Sequence, residues 1–220
     1  MTVRLPPRRL RAVYARLLAR HGPQHWWPGD SPFEIMVGAV LTQNTAWINV
    51  ERAIANLIVN DALDPATLLA VDVDRLAEWL RPSGYFNVKA RRLRNFCRWY
   101  RDGGEYAVLM QQDTATLRQA LLTINGVGPE TADDILLYAF ERPVFVIDAY
   151  TRRLFTRLGL IEGGEGYEAL RHACERALGP DVALFNEYHA LIVVHAKYHC
   201  RVRPQCRDCC LRRLCPGKQL

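Results

Sequence analysis

The stretch Leu121–Arg153, LLTINGVGPETADDILLYAFERPVFVIDAYTRR, decides how this chain is read. Two helical patterns flank Asn125-Gly126-Val127-Gly128-Pro129, the pair spanning about residues 116–140. The glycines permit positive φ and leave backbone N–H groups uncovered, and Pro129 suits a first helical turn. Such a turn serves either as a tight connection between packed helices or as a cradle for one phosphate, through backbone donors and the helix dipole. Downstream, the apolar run Val144-Phe145-Val146-Ile147 leads into Asp148 and a helix bearing Arg152 and Arg153. An acid placed there is an N-cap or a carboxylate presented at a cleft, and geometry alone favours the cap.

Helical periodicity extends outward from this stretch over nearly the whole chain. Helices are expected over about 8–20, 32–41, 46–59, 65–70, 73–80, 88–101, 114–123, 130–140, 147–158, 166–178 and 181–199. Asp64-Pro65 opens one of them and Pro82-Ser83-Gly84 closes another. Short helices joined by tight turns, with no fixed repeat and no long linker, describe an all-α protein of interlocking lobes. At 220 residues, with 50% hydrophobic and 24% charged residues, the chain is neither disordered nor fibrous. No run approaches the roughly 18 apolar residues that span a bilayer. Residues 1–20 carry six arginines among Leu, Val and Ala without a continuous apolar core. They read as an amphipathic helix, and the protein is expected in the cytoplasm.

Charge and cysteine usage add a second theme. Lys+Arg number 29 against 23 Asp+Glu, a formal +6 that favours a polyanionic partner. Only Lys89, Lys197 and Lys218 are lysines. Of seven cysteines, five crowd the tail, and Cys200, Cys206, Cys209 and Cys215 have the spacing of a metal site rather than of a disulfide framework. Four thiolates so spaced hold one tetrahedral zinc or one [4Fe–4S] cluster, and the spacing does not decide between them. Cys206, Cys210 and Cys215 form a workable alternative set. Arg201, Arg203, Arg207, Arg212 and Arg213 decorate the same loop. They either face phosphates or compensate the charge of the bound metal. His189, His195 and His199 fall at spacings that make no tight metal triad, and core or surface hydrogen bonding is the expected use.

Gly126-Val127-Gly128-x-x-Thr131-Ala132, followed by Val146-x-Asp148-x-Tyr150-x-x-Arg153, resembles the helix-hairpin-helix and Asp-bearing loop of the endonuclease III superfamily of DNA base-excision glycosylases. Gly84-Tyr85-Phe86-Asn87-Val88-Lys89-Ala90 and Leu41-Thr42-Gln43-Asn44-Thr45 resemble two further segments of that family, and the likeness runs from about Pro32 to Cys215. It implies a two-lobed all-α fold. A six-helix barrel lobe would cover 32–142, and a second lobe, 1–31 plus 143–220, would carry an iron–sulfur loop at 200–215. Cys200, Cys206, Cys209 and Cys215 would then ligate a [4Fe–4S] cluster, with Cys210 a spare thiol nearby; five residues separate the first two cysteines where six are common. Four thiolates on a 2+ core would lower the formal +6 to about +4.

The resemblance also implies roles. Asp148 would stabilise the positive charge that develops on the sugar as an N-glycosidic bond breaks. Gly126, Val127, Gly128, Thr131, Lys89 and Arg152 would contact DNA, while Gln43 with Trp26, Trp27 and Trp47 would supply the base pocket and wedge. The same tryptophans read equally as core aromatics. His25-Trp26-Trp27-Pro28 and Leu41-Thr42-Gln43-Asn44-Thr45-x-Trp47 resemble the 3-methyladenine DNA glycosylase III branch, which favours damaged purines but generally lacks the four-cysteine loop. Bifunctional members carry a Schiff-base lysine immediately before the Thr-Ala pair; here that position is Glu130, which cannot form an imine. The expected activity is therefore a monofunctional glycosylase acting on double-stranded DNA with a damaged base or abasic site, as a monomer near the nucleoid. Its rivals are an oxidised-pyrimidine glycosylase with weak lyase activity and a catalytically silent binder of damaged or branched DNA.

Overall fold

The computed structural model describes residues 3–26 and 29–219. Among them there is no strand, and no helix is long and apolar enough to cross a membrane. The chain forms two compact units, residues 27–142 and residues 1–26 with 143–220.

The first unit holds α2 (Pro32–Leu41), α3 (Trp47–Val59), α4 (Pro65–Ala70), α5 (Val73–Leu80), α6 (Phe86–Asp102), α7 (Glu105–Leu109), α8 (Thr114–Leu122) and α9 (Pro129–Asp134). Side-chain caps fix where several begin: Ser31 accepts from Glu34 N–H, Asp64 from Thr67 N–H, and Asp113 from Ala115 and Thr116 N–H. α2 is apolar on nearly every face and is accordingly the central helix, packed against α3, α6 and α9. Met36, Val37, Val40 and Leu41 are fully buried on it, each burial contributing about 1.5–3 kcal/mol before entropy is charged. Two features depart from the periodicity. α7 follows Gly103-Gly104, with Gly104 at φ 85°, and is too short to leave a pattern in sequence. Beyond α9 the helix widens into a π-turn, Ile135–Ala139, all five of whose residues are buried.

The second unit holds α1 (Pro7–His21), α10 (Ala149–Arg157), α11 (Tyr167–Leu178) and α12 (Val182–Tyr198). α12 packs against α1 and α10, and the buried Tyr188 hydroxyl donates to Leu10 C=O at 2.9 Å, tying α12 to the N-terminal helix. Val144-Phe145-Val146-Ile147 is buried without regular structure. The helix expected from residue 147 starts instead at Ala149, because Asp148 stands outside it as the cap.

Candidate functional site

In the first unit the turn between α8 and α9 is built around Gly126, at φ 101°. A Cβ there would lie 2.3 Å from Arg92 Cγ, so only glycine fits beneath the α6 side chain. At Gly128 the reason differs: a Cβ would meet nothing within 4 Å, so glycine leaves bare backbone rather than relieving a clash. Val127 is 7% exposed and its N–H is engaged by Ile124 C=O at 3.0 Å, so it shapes the turn from within. Gln43 binds this turn directly: its side-chain amide donates to Gly126 C=O at 2.9 Å and to Thr131 Oγ1 at 3.1 Å, and its carbonyl accepts from Arg92. Gln43, expected in the base pocket, is thus joined to Gly126 and Thr131, with Arg92 an unforeseen fourth member.

Behind the turn, Arg118 of α8 and Asp133 of α9 form a two-pronged ion pair, Nε to Oδ1 at 2.6 Å and Nη2 to Oδ2 at 3.1 Å, both side chains buried. Lys89, expected to contact DNA, is 1% exposed and its ammonium donates to Ser83 C=O at 2.6 Å. It closes the turn before α6 from inside and is not available to a phosphate. Burial, then the Arg92 charge, lowers its pKa to about 8. Trp47 lies against α2, where a Cβ on Gly38 would come within 3.1 Å of its ring. Trp27 lies outside the described residues.

In the second unit Asp148 is 9% exposed and performs two tasks. Oδ1 accepts from Thr151 N–H at 2.6 Å, capping α10, and Oδ2 lies 3.5 Å from His189 Nε2 of α12. Burial alone would raise the carboxyl pKa. The His189 hydrogen bond and charge, with the Thr151 N–H, outweigh burial and hold it below the ordinary value. The group is therefore a carboxylate at neutral pH. Trp26 stacks on His189, its ring centroid 6.4 Å from that of the imidazole at 28°, with Lys197 Nζ 6.0 Å from the indole. Asp148 and Trp26 are so linked through His189, a residue read from sequence as ordinary core. Arg152 donates to Glu165 C=O at 2.8 Å and braces the loop before α11.

The cysteine loop belongs to the same unit. Cys200, Cys206, Cys209 and Cys215 line one hollow with Leu154, Leu158 and Leu211, and Cys210 is not among its walls. Burial raises the Cys215 pKa, the Gly217 N–H opposes it, and the nearby Cys200, Cys209 and Cys206 thiols add to the rise. Donors suited to anionic sulfur are in place: Arg157 Nη1 is 3.4 Å from Cys200 Sγ, and His195 Nε2 is 3.5 Å from Cys209 Sγ. Cys210 faces His21 and His195 instead. Four convergent thiols and aimed donors fit a bound [4Fe–4S] cluster. Arg201, Arg203, Arg207, Arg212 and Arg213 are all exposed on this loop.

Residues 37–180 match the family described as HhH-GPD superfamily base excision DNA repair protein. A Methanocaldococcus jannaschii protein named as a DNA repair glycosylase is 46% identical over 209 residues, 94% of this chain and 95% of its own. Among solved structures, the 3-methyladenine DNA glycosylase of H. pylori bound to 1,N6-ethenoadenine has a TM-score of 0.74 and 31% identity, covering 87% of this chain and 96% of that one. An endonuclease III–DNA complex has a TM-score of 0.84 at 23% identity, covering 98% and 97%, a likeness of fold.

Proposed function

Since the chain belongs to the HhH-GPD superfamily of base excision DNA repair proteins, we propose that it is a monofunctional DNA glycosylase that flips a damaged purine from the duplex and hydrolyses its N-glycosidic bond. The observation that carries the monofunctional reading is Glu130 in the first turn of α9, where the bifunctional members have their Schiff-base lysine. A carboxylate cannot form an imine, so water is the nucleophile and an abasic site the product. Asp148, held ionised by His189 and Thr151, faces the positive charge that develops on the sugar. A purine preference is supported by the indole of Trp26, stacked on the His189 that holds that carboxylate and favourable to an electron-poor alkylated ring, and by the similarity to the H. pylori enzyme with its bound 1,N6-ethenoadenine. The turn at Gly126–Gly128 grips the DNA backbone, and Gln43 is held on it by Gly126 and Thr131. The protein acts as a monomer.

The test is a panel of duplexes carrying one alkylated, oxidised, deaminated or mismatched base, read for free base. Alkylated or etheno purines should be released. Borohydride added to an abasic duplex should trap no covalent adduct. Release of oxidised pyrimidines together with a trapped adduct would replace this reading by a bifunctional one.

Cys200, Cys206, Cys209 and Cys215 would hold a [4Fe–4S] cluster, which when bound cross-links residues 200–215. The loop's exposed arginines are thereby presented to phosphates. Cys209→Ser should lose the iron and the visible absorption of the purified protein, whereas Cys210→Ser should retain both. The reverse pattern would make Cys210 the ligand, and zinc in place of iron would exclude the cluster.

A further inference from the structure

The first unit carries a basic feature that neither the hairpin nor the carboxylate site uses. A groove of about 820 Å³ runs between α5 and α6, walled by Arg91, Arg92, Arg94 and Arg98, with the exposed Asp74 as its one acid. Two of these guanidinium groups already have structural work. Arg92 holds Gln43, and Arg94 donates to Leu69 C=O at 2.8 Å, bracing the end of α4. Arg91 and Arg98 are both exposed and lie seven residues apart on one face of α6, about 10 Å along its axis. The groove is physically continuous with the hairpin turn. Arg98 donates to Asn95 Oδ1 at 3.1 Å, Asn95 donates to Asn125 C=O at 3.2 Å, and Asn125, itself part of the groove wall, directly precedes Gly126.

We propose that this groove is a second DNA-backbone site, in which Arg91 and Arg98 bind phosphates of the duplex beyond those gripped at Gly126–Gly128. Charge selects the partner: guanidinium groups in a four-to-one excess over carboxylate, with amide donors between them, match a phosphodiester chain. Continuity selects the strand, because a backbone seated on the hairpin turn leads into the groove beside it. The role is affinity and register along the DNA, and it rests on the reading of the hairpin as a phosphate grip.

The experiment measures binding, so it does not depend on base release. Asp148→Asn protein is titrated against a labelled duplex containing an abasic-site analogue, with and without the additional changes Arg91→Gln and Arg98→Gln. The thermal midpoint of each protein serves as a folding control. Each neutralised phosphate contributes about 0.9 to the slope of log K against log salt concentration, so the double change should make the slope shallower by about 1.8. The difference should vanish when the duplex is shortened on one side of the lesion and persist when it is shortened on the other. Equal slopes, or a loss identical on both shortened duplexes, would overturn the groove site while leaving the hairpin grip standing. No binding by the Asp148→Asn parent would overturn both.

Discussion

Asp148→Asn protein should release no base from a damaged duplex while binding that duplex at least as tightly as the wild type. The substitution is nearly isosteric, and asparagine caps a helix as well as aspartate does, so the bond to Thr151 N–H at 2.6 Å can persist. What disappears is the negative charge. That charge is present throughout the neutral range because His189 and Thr151 hold the buried carboxyl below its ordinary value. Loss of one aimed electrostatic partner of a developing charge costs about 10²–10³ in rate, and a full charge in a dry site belongs at the upper end. Single-turnover base release measures the loss, and anisotropy on an abasic-site duplex measures retained binding. Near-wild-type release would reduce Asp148 to a cap. Linkage supplies a second readout: a depressed carboxylate contributes stability that is complete above its unfolded value near 4 and lost as pH falls through the folded value. The acid limb of unfolding should therefore be weaker in Asp148→Asn.

The largest expected loss of stability lies at Asp133. Its replacement by alanine removes the buried carboxylate that Arg118 meets at 2.6 Å across the α8–α9 junction. Breaking a buried ion pair from one side typically costs about 3–5 kcal/mol, a large share of a typical domain's 5–15 kcal/mol. For a chain of this size the thermal midpoint should fall by roughly 10 °C. Because the pair clamps the two hairpin helices, DNA affinity should fall with it. Replacing both partners by apolar residues of similar volume should recover part of the stability, because the guanidinium is then no longer buried opposite a missing carboxylate. A midpoint lowered by less than about 2 °C in Asp133→Ala would show that the pair does not hold the hairpin.

What sequence could and could not reveal follows from the range of each interaction. Caps are local, so Asp64-Pro65 marks a helix start that the structure contains. The turn at Gly126–Gly128 is likewise local, and its Gly126 is required by a positive φ. The reason that no side chain fits there is not local, because the obstacle is Arg92 from α6. His189 sits in an apolar stretch of α12 and looks like core until the fold sets it beside Asp148, far away in sequence. Lys89 misleads in the opposite sense: a lysine in an arginine-rich helix suggests surface, yet one backbone carbonyl and dense packing hold it inside. Cys209 and Cys210 are adjacent, so spacing could not separate them; in the fold Cys209 lines the hollow with Cys200, Cys206 and Cys215, while Cys210 faces His21 and His195.

The scarcity of lysine, and Glu130 in place of one, carries the central claim that water rather than an amine attacks the sugar. The most direct measurement is a time course on a duplex with a single alkylated or etheno purine, assaying free base and strand breaks in parallel, before and after hot alkali. Base should be released with the strand intact, breaks appearing only after alkali and in equal amount. Strand breaks that accompany base release before alkali would contradict it.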